Sequence, residues 1–477
     1  MPRSSPQAAG RRSPRFGSLS PLVVFTLIVV IYHLWLSFTR HLWAAENNML
    51  LSPGFMVMLG ADFWMVIALL GTLWITAVVH LSVPELREPL RRTCRRTVSP
   101  EWILLCLLFV WFMVTCAVYS TSKTNLILRD WRYVLDAGVC ALILLPLGTV
   151  LGVRRMRSFL TAVFTVLLIF ATAFVLIALF CTFTGRELPL PNGLAIRRSK
   201  DGDLYMGVNA NIGAGIGLTM VYCCLFLAFM RRGPMRWVWL TAAVPHLIAV
   251  ILCNSRGCFL ALLFTLPVCA AFAAWDMTEG RRTRSRILVS ALAALLAAGL
   301  VVGMRLAAEA WYFPASKGGD GDSESLFHDT GRLYIWPASI RVMTENPKQF
   351  FFGVPKLSLP NYLSDQMIAL FNDDTRYAHA HNMLLQVGCV QGVPAMAVYA
   401  ATWVITAVRG LRVLISARRR NMAGAWVIPL SMCGMIIVNV FEPFIWLYFS
   451  IMGCVFFLFG GLLTALDRGG TESDPIP

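Results

Sequence analysis

Long hydrophobic runs recur along the whole chain and confine it to a membrane. A helix needs about 18 to 20 apolar residues to cross roughly 30 Å of hydrocarbon, and runs of this length follow one another through the 477 residues. Charged residues make up only 14% of the sequence, against about 25% in soluble domains. Because a helix satisfies its own backbone hydrogen bonds, these runs favour an all-α, polytopic membrane protein.

The runs predict about twelve transmembrane helices. They lie at 19–38, 57–81, 102–119, 133–153, 159–183, 209–230, 236–253, 257–275, 287–306, 383–408, 424–441 and 445–465. No small-residue cleavage site follows the first run, so we expect a retained helix rather than a signal peptide. The two halves of the chain show no matching broken helices, which disfavours a transporter built from two related halves.

The net charge of +16 takes its meaning from where the basic residues lie. In a soluble protein it would point to nucleic acid, but here Arg and Lys concentrate in alternate short connections, so no nucleic-acid partner is expected. The positive-inside rule then places both termini in the cytoplasm. The predicted organisation is a basic cytoplasmic tail (1–18), helices one to nine (19–306), an extracytoplasmic catalytic loop (307–382), helices ten to twelve (383–465) and a cytoplasmic tail (466–477).

Two arginines stand on the predicted outer face. Arg256 lies in the tight turn CNSRGC between two hydrophobic runs, and Arg332 opens a segment, 330–346, that we expect to be helical. A guanidinium offers a planar fork of donors that matches phosphate oxygens, although an arginine at a membrane boundary also serves as an interface anchor. Trp336 suits either the headgroup layer or stacking on a sugar ring.

Two histidines precede the tenth hydrophobic run. His379 and His381 stand in the sequence HAHN, with Asn382 adjacent. A histidine titrates near neutral pH and can accept a proton from a hydroxyl nucleophile, whereas a single histidine here would more often be structural. The pair, together with two arginines on the same face, favours a catalytic interpretation.

A second outer segment, 184–209, carries a basic cluster that includes Arg197 and Arg198 and leads to Asn211 at a helix entrance. No metal or cofactor is expected, because the aspartate pairs of the outer loops lie in turn-like sequence without completing ligands. Four polar residues within or beside apolar runs fit either a contact between helices or a contact with substrate. These are Asp62, Asp136, His246 and Glu442.

Three blocks of the sequence resemble the O-antigen ligase and O-antigen polymerase superfamily of bacterial membrane glycosyltransferases. They are NSRGCFLALL (254–263), GRLYIWPASIRVMTENPKQFFFGV (331–354) and HAHNMLLQVGCVQGVPA (379–395). A weaker block is GVNANIGAGIGL (207–218). Gln391 and Cys258 depart from the pattern, which bears on fine specificity more than on the reaction.

The resemblance implies a GT-C-like fold and inverting, metal-independent glycosyl transfer at the extracytoplasmic face of the bacterial inner membrane. Arg256 and Arg332 would bind the diphosphate of a polyprenyl-linked glycan donor, such as an undecaprenyl diphosphate, and His381 would be the catalytic base. Arg197, Arg198, Asn211, Trp336, His379 and Asn382 would contact substrate. The acceptor is a glycan, lipid or protein, so ligase, polymerase and protein O-glycosylation stay open. A transporter or flippase of lipid-linked glycans is the alternative.

Overall fold

In the computed structural model of the protein, the described residues are 98–119, 144–189, 195–198, 203–206, 210–230, 233–313, 332–356, 358–373, 377–419, 424–446 and 450–468. The predicted runs 19–38 and 57–81 and both terminal tails lie outside these residues, apart from Leu466, Asp467 and Arg468.

Helices account for most of the described structure. The first elements are α1 (Pro100–Val118), α2 (Leu145–Thr184), β1 (Leu188–Pro189), β2 (Ala195–Arg198), β3 (Leu204–Met206), α3 (Ala210–Phe229), α4 (Met235–Leu252), α5 (Arg256–Met277) and α6 (Thr283–Ala307). A π-helical turn, Ala308–Tyr312, extends α6. The later elements are α7 (Arg332–Thr344), α8 (Pro347–Phe352), α9 (Leu359–Phe371), α10 (Met383–Gln391), α11 (Val393–Arg419), α12 (Val427–Phe441) and α13 (Ile451–Asp467).

Seven of the described helical segments are long and apolar enough to cross a membrane, and α12 and α13 are apolar but shorter. The runs at 209–230, 236–253 and 257–275 coincide with α3, α4 and α5 to within about two residues. The hydrophobic pattern therefore located these helices well, and the protein is a mostly helical, polytopic membrane protein. Twelve crossings and a GT-C-like arrangement stay predictions.

Two predicted boundaries differ from the structure. The connection expected between 133–153 and 159–183 is helical, because α2 continues through it and breaks instead at Gly152, where φ is 73°. The run 383–408 is two helices, α10 and α11, separated at Gly392. Both breaks fall at glycines with positive φ inside an apolar run, where hydropathy gives no signal.

A small antiparallel sheet, ordered β1-β2-β3, interrupts the otherwise all-α architecture. Arg197 pairs with Tyr205 across β2 and β3. Ile196 and Met206 are buried, so the sheet is folded down onto the helices. These strands of two to four residues are too short for an alternating pattern to identify.

The long loop folds into short helices. The helix expected at 330–346 is confirmed as α7, and Asn346 caps α8 by accepting a hydrogen bond from Gln349 N at 2.9 Å. Beyond it, α9 packs against α7, and both α7 and α8 contact α10. The loop helices therefore form a layer that packs against α10.

Two glycines let α8 and α10 approach closely. A Cβ added at Gly392, where φ is 89°, would lie 2.2 Å from Phe351 O, and one added at Gly353 would lie 2.4 Å from Val390 C. Val354 N also donates to Cys389 O at 2.7 Å. This contact holds the far end of α10, the helix that follows the HAHN sequence.

Gly392→Ala should destabilise the fold by at least about 2 kcal/mol. Alanine is strained at this positive φ, and its Cβ would clash with the backbone of Phe351. Gly299→Ala is the matched control, because a Cβ at Gly299 in α6 meets nothing within 4 Å. We expect thermal unfolding in detergent to show a lower midpoint for Gly392→Ala alone. Equal midpoints for the two variants would contradict the close-packing argument.

Candidate active site

Four helices begin at one end of the bundle, and each presents a polar residue there. Asn211 is in the first turn of α3, Arg256 and Arg332 open α5 and α7, and Asn382 caps α10. Helix N-termini carry partial positive charge and unpaired N–H groups. Their convergence with two arginines makes this end of the bundle suited to an anion.

Glu442, directly after α12, joins three of these segments through a single oxygen. Its Oε1 accepts hydrogen bonds from Asn211 Nδ2 at 2.9 Å, His381 Nδ1 at 3.0 Å and Arg332 Nη2 at 3.3 Å. The side chain is only 3% exposed. Since a carboxylate only accepts, His381 Nδ1 carries the proton, and Nε2 is the ring nitrogen that faces away from Glu442.

The charge of Glu442 is stabilised by its neighbours. Burial alone would raise the pKa of this carboxyl. The hydrogen bond from His381, the neighbouring imidazoles of His381 and His379 and then the guanidinium of Arg332 outweigh it, and the pKa lies below its ordinary value. The site therefore contains an ionised carboxylate held among donors.

Phe441, the last residue of α12, contacts both Arg332 and the start of α5. The ring of Phe441 is 5.5 Å from the Arg332 guanidinium, measured to the ring centroid. A Cβ added at Gly257 would lie 3.0 Å from Phe441 Cβ, so the start of α5 abuts the same residue. Arg256, the residue before Gly257, is half-buried at this junction. Arg332 and the start of α5 thus both pack against the end of α12.

Arg332 and Trp336 retain hydrogen-bonding capacity. Arg332 Nε and Trp336 Nε1, one helical turn apart on α7, are buried and have no protein partner among the described residues. Buried donors in native proteins are nearly always satisfied, by protein or by another molecule. Both donors are therefore candidates for contacting substrate.

The HAHN sequence forms a tight turn before α10. His381 has a φ of 48°, a left-handed conformation that is costly for a residue other than glycine. His381 N donates to His379 Nδ1 at 3.3 Å, and the two ring centroids are 4.1 Å apart. Asn382 accepts from Leu385 N at 3.1 Å and donates to Val440 O at 3.0 Å. Asn382 is thus explained by capping α10 and tying it to α12.

Three groups of the site have the chemistry of metal ligands. One ligand atom from each of His379, His381 and Glu442 lies within 4.8 Å of the others. Two imidazoles and a carboxylate fit Zn²⁺ or a similar ion by donor type, although the nearby Arg332 opposes a cation. Metal-independent chemistry stays a prediction.

The basic pair of the sheet has other partners. Arg197 Nη1 lies 3.2 Å from Glu187 Oε1, and both side chains are largely exposed. The Arg198 guanidinium lies 4.5 Å from the centroid of the Tyr312 ring and donates to Tyr312 O. These contacts account for Arg198 as a link between the sheet and the π-helical turn, and a substrate role for either arginine stays a prediction.

Glu442 is a candidate functional residue whose role the sequence left undecided. It was noted as a polar group at the end of an apolar run, where a contact between helices fitted as well as a contact with substrate. An acid next to membrane-length apolar sequence is a signal of function. Its partners could not be named from the sequence, because Asn211 lies 231 residues away.

His379 should make the protein acid-labile. Burial, with the charge of His381 adding to it, lowers the pKa of His379 from 6.5 to about 4. The unfolded chain takes up this proton below about pH 6.5 and the folded chain only below about pH 4, so stability is lost as pH falls through that window. We expect His379→Asn, which keeps an acceptor near Nδ1, to show a shallower fall of the unfolding temperature between pH 7 and pH 4.5. Identical slopes would contradict a His379 that stays neutral in the folded protein.

The fold and the site together define a polytopic α-helical membrane protein in which half-buried arginines and histidines surround a buried carboxylate at one end of the bundle. Residues 241–400 match the family model described as O-antigen ligase. The resemblance of this segment to the O-antigen ligase and polymerase superfamily is confirmed. Curated proteins give no significant match. The matched segment contains Arg256, Arg332 and the HAHN sequence, whereas Asn211 and Glu442 lie outside it.

Proposed function

We propose that this protein is an inverting glycosyltransferase of the O-antigen ligase and polymerase type. It transfers a glycan from a polyprenyl-diphosphate carrier to an acceptor hydroxyl at the extracytoplasmic face of the bacterial inner membrane. The observation that carries the proposal is the junction of Arg332 and His381 on Glu442 Oε1. The O-antigen ligase match over 241–400 supports the same class of reaction.

The diphosphate is held by arginines and helix N-termini. Arg256 and Arg332 open α5 and α7, so each guanidinium acts beside the positive end of its own helix. Negative charge grows on the diphosphate as the anomeric C–O bond breaks. Hydrogen-bond donors that are fixed in place before that step stabilise the transition state more than the ground state. Trp336 Nε1, one turn beyond Arg332, is placed to donate to a phosphate or sugar oxygen.

His381 accepts the proton of the acceptor hydroxyl. With Nδ1 bound to Glu442 at 3.0 Å, the neutral imidazole presents Nε2 as its basic nitrogen. The hydroxyl oxygen forms the new bond to the anomeric carbon while the bond to the diphosphate breaks. The proton passes to His381 Nε2, the electron pair leaves with the polyprenyl diphosphate, and Glu442 stabilises the resulting imidazolium.

The proposal is tested by reconstitution with donor and acceptor on one side of the membrane. Purified protein in sealed proteoliposomes should form a new glycosidic bond when both substrates are on the face that Arg332 and His381 occupy. Protein that moves lipid-linked glycan between leaflets without joining it to acceptor would instead be a transporter or flippase.

The acceptor is identified in a strain lacking the gene. Long glycans stranded on the carrier lipid indicate a lost ligase, and single repeat units still attached to their anchor indicate a lost polymerase. Loss of glycan from proteins alone indicates protein O-glycosylation.

A further inference from the structure

We infer that Glu442 competes with the donor diphosphate for Arg332 and thereby sets the affinity for donor as well as the orientation of His381. The inference rests on the proposed function of the site. Beyond that function, it gives Glu442 two opposing effects: Glu442 weakens binding of the glycan donor, and it speeds transfer. It follows from the contact of Glu442 with Nη2 of Arg332, one of the nitrogens with which a guanidinium binds phosphate.

Arg332 meets Glu442 through only one of its nitrogens, Nη2, at 3.3 Å. Nε and Nη2 form one edge of the guanidinium, and their parallel N–H groups are the fork that binds two oxygens of a phosphate. Nε is buried and has no protein partner among the described residues. Glu442 therefore contacts a nitrogen of this fork, and a phosphate that binds the Nε and Nη2 edge competes with the carboxylate for the guanidinium.

Of the three hydrogen bonds that Glu442 accepts, the one from Arg332 is the longest and the easiest to break. Glu442 Oε1 receives Asn211 Nδ2 at 2.9 Å and His381 Nδ1 at 3.0 Å, both shorter than the 3.3 Å to Arg332 Nη2. Release of Arg332 leaves Glu442 with two donors, including His381. The carboxylate then keeps its hold on the base while the guanidinium binds the diphosphate.

The negative charge of Glu442 also opposes binding of the diphosphate. Glu442 is a buried anion, and a diphosphate bound to Arg332 would lie close to it in a medium that screens charge poorly. Like charges at short range oppose binding. An arginine that must first leave a carboxylate binds its ligand more weakly. Its apparent affinity is the intrinsic affinity multiplied by the fraction of time for which the carboxylate has released the arginine.

Glu442→Gln separates this inference from a purely structural role. The amide keeps the size of the side chain and removes its charge, so we expect the KM for donor to fall roughly tenfold, a factor equivalent to one hydrogen bond to a charged group. We expect kcat to fall as well, because His381 loses the carboxylate that orients it. If Glu442 only positioned Arg332 for the diphosphate, its replacement would raise the KM for donor.

Glu101→Gln is the matched control. Glu101 is also a buried carboxylate paired with an arginine, since its Oε1 lies 2.8 Å from Arg409 Nη1. It opens α1, and Arg409 also bonds Asp467 near the end of α13, outside the cluster around Glu442. We expect Glu101→Gln to cost stability while the KM for donor stays unchanged.

Binding is measured apart from turnover with a short-chain polyprenyl diphosphate in nanodiscs. Tighter binding by Glu442→Gln with slower transfer supports the inference, and equal or weaker binding overturns it while leaving the glycosyltransferase proposal intact. Wild-type protein that forms no glycosidic bond ends the proposed function, yet the binding comparison still decides the competition. If Glu442→Gln does not fold, Glu442→Asp carries the test, since its shorter side chain draws the carboxylate back from Arg332. Weaker binding by the aspartate variant would overturn the inference.

Discussion

His381→Ala and His381→Gln should each reduce kcat for glycosyl transfer by about 10² to 10⁴-fold, because the acceptor hydroxyl loses its base. The KM for donor should change little, since the imidazole contacts the hydroxyl and not the diphosphate. The measurement is the initial rate of product formation in proteoliposomes at saturating donor, normalised to folded protein. The histidine turn is strained at φ 48°, so the variants also need a stability measurement.

His246→Gln controls for that loss of stability. His246 is a fully buried histidine of α4 whose Nε2 lies 3.1 Å from Thr172 Oγ1, away from the Glu442 cluster. Its replacement should lower the unfolding temperature but leave the rate per folded molecule near that of the wild type. Near-normal transfer by His381→Ala would show that another group removes the proton.

Arg332→Ala and Arg256→Ala should each lower kcat by about 10² to 10³-fold, the usual cost of losing one donor aimed at a developing negative charge. Lysine should restore little at either position, because an ammonium keeps the charge but loses the planar fork. The loss should exceed any change in the KM for donor, since the diphosphate carries more charge in the transition state than in the ground state.

Arg341→Ala is the control for the arginine variants. Arg341 is an exposed arginine in the last turn of α7, the helix that Arg332 opens. Its removal should leave the rate of transfer within about twofold of the wild type, as expected of a solvent-exposed charge. Turnover by Arg332→Ala equal to that of Arg341→Ala would remove Arg332 from the mechanism.

Hydrophobic pattern predicted the parts of the fold that depend on transfer into lipid. Residues 209–230 and 257–275 became α3 and α5, since a continuous apolar run has few other stable structures in a membrane. The division of 383–408 at Gly392 was missed, because what breaks the helix is a backbone conformation and not a change in polarity. The strands that carry Arg197 and Arg198 were missed because they are so short.

Arg332 and His381 could be selected from the sequence by chemical type and by position beside apolar runs. Their meeting at Glu442 could not, since it depends on how α7, α10 and α12 pack. The left-handed φ of His381 and the pairing of its Nδ1 with the carboxylate are likewise tertiary features. The sequence therefore identifies candidate residues, whereas the hydrogen bonds between them are seen only in the structure.

The most direct measurement is the product formed by purified protein from a defined polyprenyl-diphosphate glycan and a soluble acceptor, with its anomeric configuration read by NMR. A single displacement assisted by His381 predicts one covalent product with the configuration inverted relative to the donor, and almost none from His381→Ala. A product with retained configuration, or an equal yield from His381→Ala, would contradict a single displacement with His381 as the base.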